Sequence, residues 1–207
     1  MTSGLRRFLQ PAPRAKPGER CEMCTEPVTE DHSHVIDLES RAIMCTCRGC
    51  YLLFTHSGAG GKRHRAVPDR YLHAPSFTLG ATLWESIGIP VRMAFLFRNS
   101  VLDTAVAFYP SPAGATESLL PLGTWTEMLE SNAELATILP DVEALLINKN
   151  DEGFECFLAP IDACYELVGL VRLHWRGFDG GTEAWDAING FFESLRQRSK
   201  TVGNTDG

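Results

Sequence analysis

Apolar residues along this chain fall into short runs, and their spacing predicts strands alternating with helices. Val35 to Leu38 and Arg41 to Met44 are strand-like and flank the polar pair Glu39-Ser40, which predicts a hairpin. Thr78 to Ile87 carries Leu79, Leu83 and Ile87 at helical intervals. Val91 to Phe97 and Thr104 to Tyr109 read as strands joined by the polar turn from Arg98 to Asp103. A helical stretch over Gly123 to Leu139, broken near Asn132, stops at Pro140. Val142 to Asn148 and Phe154 to Ala159 form a further hairpin around the turn from Lys149 to Gly153. Asp162 to Trp175 fits both strand alternation and a helical stripe; its length, with Asp162 as N-cap, favours helix. Thr182 caps a last helix whose apolar face carries Trp185, Ile188, Phe192 and Leu195, introduced by the turn from Phe178 to Gly181.

Hairpins interleaved with helices predict an α+β domain with a mainly antiparallel sheet over residues 66–198. Ahead of it lie a proline-rich flexible tail, 1–18, a compact cysteine-rich module, 19–57, and a glycine-rich basic linker, 58–65. A polar tail, 199–207, follows and is expected to be flexible. The proportions, 44% apolar and 22% charged over 207 residues, are those of a globular protein. No apolar run approaches the roughly 18 residues of a membrane span, and Met1 to Gly18 lacks the apolar centre of a secretory signal. The expectation is a cytoplasmic protein without membrane insertion. A net charge of −7 argues against general nucleic-acid affinity. The basic clusters, Arg6, Arg7, Arg14, Lys16 and Arg20 first and then Lys62, Arg63 and Arg65, read as solvated loops or as docking points for an acidic partner.

The candidate chemistry lies in the cysteines. Five of the seven fall between positions 21 and 50, a clustering that points to metal or redox chemistry before disulfides. Cys21-Glu-Met-Cys24 and Cys47-Arg-Gly-Cys50 form two knuckles whose two-residue spacers turn both sulfurs toward one ion. The hairpin between them carries the second knuckle back to the first, so the module reads as zinc-ribbon-like. The expected ligands are Cys21, Cys24, Cys47 and Cys50. Folding that hairpin at Glu39-Ser40 sets His34 opposite Cys45, on one face with Ile36 and Ile43. His34 and Cys45 are then either a packed pair or substitutes within the coordination shell. His32 and His56 read as solvent-exposed. Zinc is the expected ion and iron the rival, because four thiolates also suit a rubredoxin-type centre. Thr25 and Tyr51 stand where a rubredoxin has glycines, and Arg48 replaces its proline, which favours zinc.

Other signals change the picture less. Gly58-Ala-Gly-Gly-Lys62 lacks phosphate-loop spacing. The stretch from Tyr109 to Ser118 reads as a polar loop in which Ser111, Thr116, Glu117 and Ser118 could line a site. His174-Trp175-Arg176 has no partner nucleophile and reads as the end of an amphipathic element; Cys156 and Cys164 read as core thiols.

Several longer segments carry a family resemblance. They are Cys21-x-x-Cys24, His32-Ser-His34, Asp37-Leu-Glu-Ser40, Cys45-Thr-Cys47-Arg-Gly-Cys50 and Val67-Pro-Asp-Arg70. Farther on come the segment from Phe108 to Ser118, Pro140 to Leu146, Pro160-Ile-Asp162, Leu167 to Arg172, His174 to Gly177 and Trp185. With these the chain resembles an uncharacterised bacterial family, common in actinobacteria, whose genes often lie beside those of NiFe-hydrogenases. The resemblance implies a hydrogenase-associated accessory factor; together with the knuckle pair and the missing catalytic constellation, it leads to the expectation of a non-enzymatic protein that assists assembly or maturation of such an enzyme by binding a hydrogenase subunit or maturation factor. The alternative is an iron–thiolate electron carrier for the same system. The resemblance identifies no catalytic residue.

Overall fold

A computed structural model describes residues 20–56, 63–79, 84–85, 88–89, 91–111, 114–120, 122–151, 153–177 and 180–203. The expected N-terminal tail and most of the glycine-rich linker lie outside these residues, as does much of the expected helix from Thr78 to Ile87. Within that helix Trp84 and Glu85 are helical, and Trp84 is buried.

The N-terminal strands β1 (Ser33–Asp37) and β2 (Ala42–Thr46) pair antiparallel, with Asp37 opposite Ala42 and His34 opposite Cys45. The register is the one expected from a turn at Glu39-Ser40. The side chain of Asp37 fixes that turn by accepting hydrogen bonds from the backbone N–H groups of Glu39 and Ser40. A short helix, α1 (Arg48–Leu52), follows β2, and β3 (His64–Ala66) joins the outer side of β1. His64 and Arg65, from the stretch read as linker, are thus part of a three-stranded sheet ordered β2-β1-β3.

The larger sheet has seven strands, ordered β10-β4-β9-β8-β5-β6-β7. They are β4 (Leu72–Ala74), β5 (Met93–Asn99), β6 (Thr104–Ser111), β7 (Gly114–Leu120), β8 (Glu143–Lys149), β9 (Phe154–Pro160) and β10 (Lys200–Thr201). All neighbours run antiparallel except β10 and β4, whose pairing puts Lys200 and Thr201 of the supposedly flexible tail in the sheet. The central strands have unbroken apolar runs because both faces are covered. On one face the register aligns Phe108, Phe95, Leu146, Phe157 and His73 across five strands. On that side pack α3 (Ile161–His174) and α4 (Gly181–Arg198), through Leu167, Val171, Ile188, Phe192 and Leu195. The opposite face carries Leu96, Leu145 and Leu158 under Phe77, Trp125, Met128 and Leu135. Trp125 and Met128 come from α2 (Leu122–Glu130), which ends before Asn132 and gives way to a 3-10 turn at Ala133–Leu135.

Three sequence expectations are corrected here. The supposed polar loop after Tyr109 is mostly strand: β7 pairs with β6 from Gly114 to Leu120. It is an edge strand, so its alternation is filled by Thr, Glu and Ser and carries little apolar signal. Asp162 is not an N-cap; Pro160 holds that position, and Asp162 lies in the first turn of α3. Nor does Thr182 cap α4. Gly180 does, at φ 89°, where a Cβ would stand 3.0 Å from the Trp175 ring. Trp185 lies at the rim of α4, 37% exposed and beside Trp175, while Ala184 and Phe191 join the buried face.

Candidate metal centre

The first knuckle is a tight turn. The Thr25 N–H donates to the Cys21 carbonyl at 2.8 Å, and the Cys21 N–H donates to the Glu26 carbonyl at 2.7 Å. To close it, Thr25 adopts φ 65°, in the left-handed region that β-branched residues rarely enter. The second knuckle is the start of α1. Cys47 is its N-cap, and the Cys47 sulfur accepts the Cys50 N–H at 3.4 Å. A helical turn sets Cys50 three residues on, over the same side as Cys47. Glu22 ties the first knuckle to β2, just ahead of the second. Its N–H donates to the Cys45 carbonyl at 2.9 Å, and its carboxylate accepts the Cys45 N–H.

The result is a group of four sulfurs, from Cys21, Cys24, Cys47 and Cys50, all within 4.8 Å of one another. The Cys24 and Cys47 sulfurs are 3.6 Å apart. A zinc–sulfur bond of about 2.3 Å requires sulfurs roughly 3.8 Å apart around a tetrahedral ion, so this spacing fits. Cys21 is buried and Cys24 exposed, which leaves the group at the surface. The thiols are unequal. Burial works against ionising Cys21, but backbone hydrogen bonds from Cys47, Cys24 and Met23 outweigh it and bring the thiol down to about 6. Cys50 is pushed far up, first by burial and then by the three neighbouring sulfurs. Four thiolates crowded together without a cation repel one another; a bound divalent ion removes that conflict.

His34 and Cys45 do not fall within this group. They lie with His32 in a second one, whose donor atoms are also within 4.8 Å of one another. His32 is part-buried, contrary to its reading as exposed, with Nε2 buried and Nδ1 on the carbonyls of Thr29 and Glu30. His32 lies just before β1, and its ring packs edge-on against that of His34, with the centroids 4.7 Å apart. His56 is exposed, as expected.

The remaining candidates are put to structural use. Arg63 binds Asp37 through Nε at 3.1 Å and Nη2 at 2.8 Å, and Arg65 donates to Asp141 at 2.9 Å. These two cations of the supposed docking cluster thus hold β3 to its surroundings. Ser111 and Thr116 face each other across the β6–β7 hairpin, Oγ1 to Oγ at 3.3 Å. His174 pairs with Glu183 at 3.2 Å. Cys156 and Cys164 are fully buried, and burial pushes both thiols up.

These features define an α+β protein with antiparallel sheets and a surface cluster of four cysteines able to hold a metal ion. The chain belongs to the family of unknown function DUF5947, whose profile matches residues 20–199. No curated protein and no solved structure matches it. No helix among the described residues is long and apolar enough to cross a membrane.

Proposed function

We propose that this is a non-enzymatic zinc-binding accessory protein that assists assembly or maturation of a NiFe-hydrogenase-like enzyme. The observation that carries the metal reading is the convergence of the Cys21, Cys24, Cys47 and Cys50 sulfurs at spacings suited to one tetrahedral ion. Four protein thiolates leave such an ion no open position, which favours a structural over a catalytic role. The ion would fix α1 beside the knuckles. That helix region presents Leu52 and Leu53, 49% and 61% exposed, next to Tyr51 with Arg48 over its ring. An apolar surface held rigid by a metal suits docking to a protein partner. The hydrogenase connection rests on the family resemblance alone.

Native purification followed by elemental analysis and a visible spectrum tests the first half. The expected protein is colourless with zinc that Cys24→Ser and Cys47→Ser both release. Iron with strong visible absorption would instead support a rubredoxin-like electron carrier. Gene deletion tests the second half: hydrogenase activity and subunit assembly should fall, and unchanged values would end the accessory reading.

A further inference from the structure

We propose that His32, His34 and Cys45 form a second, exchangeable site for a divalent transition-metal ion, separate from the four-sulfur centre. The three donor atoms already lie within 4.8 Å of one another, and none belongs to the other group. Their placement is built into the hairpin. Cys45 stands directly across from His34 in the β1–β2 register, and the His32 ring packs edge-on against His34 at 4.7 Å.

Both imidazoles are oriented for ligation. Nδ1 of His32 faces two carbonyl oxygens, Thr29 at 2.8 Å and Glu30 at 3.1 Å, so in the neutral ring it carries the proton. That leaves Nε2 with a free lone pair, and Nε2 is buried without a hydrogen-bond partner. A buried acceptor in this state is unfavourable unless something binds it. Nδ1 of His34 faces the Asp162 carboxylate at 2.7 Å, which likewise assigns the proton to Nδ1 and the lone pair to Nε2. Carboxylate–histidine pairs of this kind orient metal-bound imidazoles and raise their basicity. The sequence separation of 128 residues shows that α3 supplies Asp162 to this hairpin from across the fold.

Two imidazole nitrogens and one thiolate suit ions of borderline softness, such as zinc, nickel or cobalt, rather than calcium or magnesium. Three protein donors also leave a tetrahedral ion one position short, the condition for exchange or for an outside ligand. His32 and His34 form part of the wall of a cavity of about 810 Å³, into which Glu30, Asp69, Asp162 and Glu166 bring negative charge. An acidic mouth concentrates cations at such a site.

Anaerobic titration of the full-length protein with cobalt(II), its four-sulfur metal in place, tests the assignment. One further equivalent should bind, with a sulfur-to-cobalt charge-transfer band and visible bands of four-coordinate intensity. Cys45→Ser should remove the charge-transfer band, and His32→Ala with His34→Ala should abolish uptake, each leaving the four-sulfur metal in place. Asp162→Asn should weaken cobalt binding by about 10- to 100-fold, and Asp162→Glu should restore much of it. If Cys45→Ser fails to fold, cobalt should still protect Cys45 of the wild-type protein from alkylation. No second equivalent, or one indifferent to loss of both histidines, overturns the proposal. The two centres share no ligand, so failure here is separable from loss of metal in Cys24→Ser.

Discussion

Glu143 has no exposed surface at the start of β8, yet it is a carboxylate with three directed partners. Arg70 grips it with Nε at 2.8 Å and Nη2 at 2.6 Å, and the Leu139 N–H donates to it at 2.7 Å. Removing one member of a buried pair strands the other charge away from water. Arg70→Ala should therefore lower stability by about 3 kcal/mol, seen as a lower denaturant midpoint with an unchanged slope. At this scale the sequence was partly legible. The grouping of the four cysteines could be read because two two-residue spacers joined by a hairpin bring their sulfurs together. Asp162 could not be read as the partner of His34, because that contact exists only once β9 runs directly into α3 above the hairpin. The part-burial of His32 was not legible, because its ring is held by two carbonyls of the loop before β1, which no residue-type pattern reports.

Between elements, one ion pair joins β1 to β3. The Arg63 guanidinium, hydrogen-bonded to Asp37, holds that carboxyl down to about 2 from an ordinary 3.8; burial opposes this, and the Ser40 and Glu39 N–H groups assist. A carboxyl depressed by folding contributes stability at pH values above its ordinary range. That contribution is lost as pH falls from about 4 toward 2. In Arg63→Ala the Asp37 carboxyl should titrate closer to its ordinary value in a carbon-detected NMR titration, and less stability should be lost as pH falls from about 4 toward 2. A titration unchanged from wild type would show that the turn N–H groups suffice. Strand register was the most legible feature at this scale, since the polar turn at Glu39-Ser40 fixed every pair from Ser33–Thr46 to Asp37–Ala42. The β7 strand was the least legible, since an edge with one wet face mimics a loop in composition.

Across the whole molecule, the larger sheet draws its stability from apolar layers on both faces, neither of which includes a knuckle cysteine. Ile36 and Leu38 of the β1–β2 hairpin, with Val67 just after β3, belong to the same layer as Phe95 and Leu195. Stripping the metal should therefore loosen the knuckles without melting the fold. Hydrogen exchange after chelation should show faster exchange over Cys21–Thr25 and Cys47–Leu53, with β5, β8 and β9 still protected. Loss of protection in those central strands would mean that the ion holds the entire chain together. The sequence predicts a separate cysteine-rich module over residues 19–57. The cysteine spacing sets this segment apart in the sequence, but nothing in its composition tells that Ile36 and Leu38 share the interior of the larger domain.

That shared interior bears on how the protein can be dissected. A peptide ending near Ala66 would retain every cysteine of both groups able to hold a metal ion yet lose the carboxylates of Asp141 and Asp162 that Arg65 and His34 engage. It would also turn Ile36 and Leu38 outward into water. Such an excised piece would tend to self-associate, so its metal affinity would describe an aggregate rather than the intact chain.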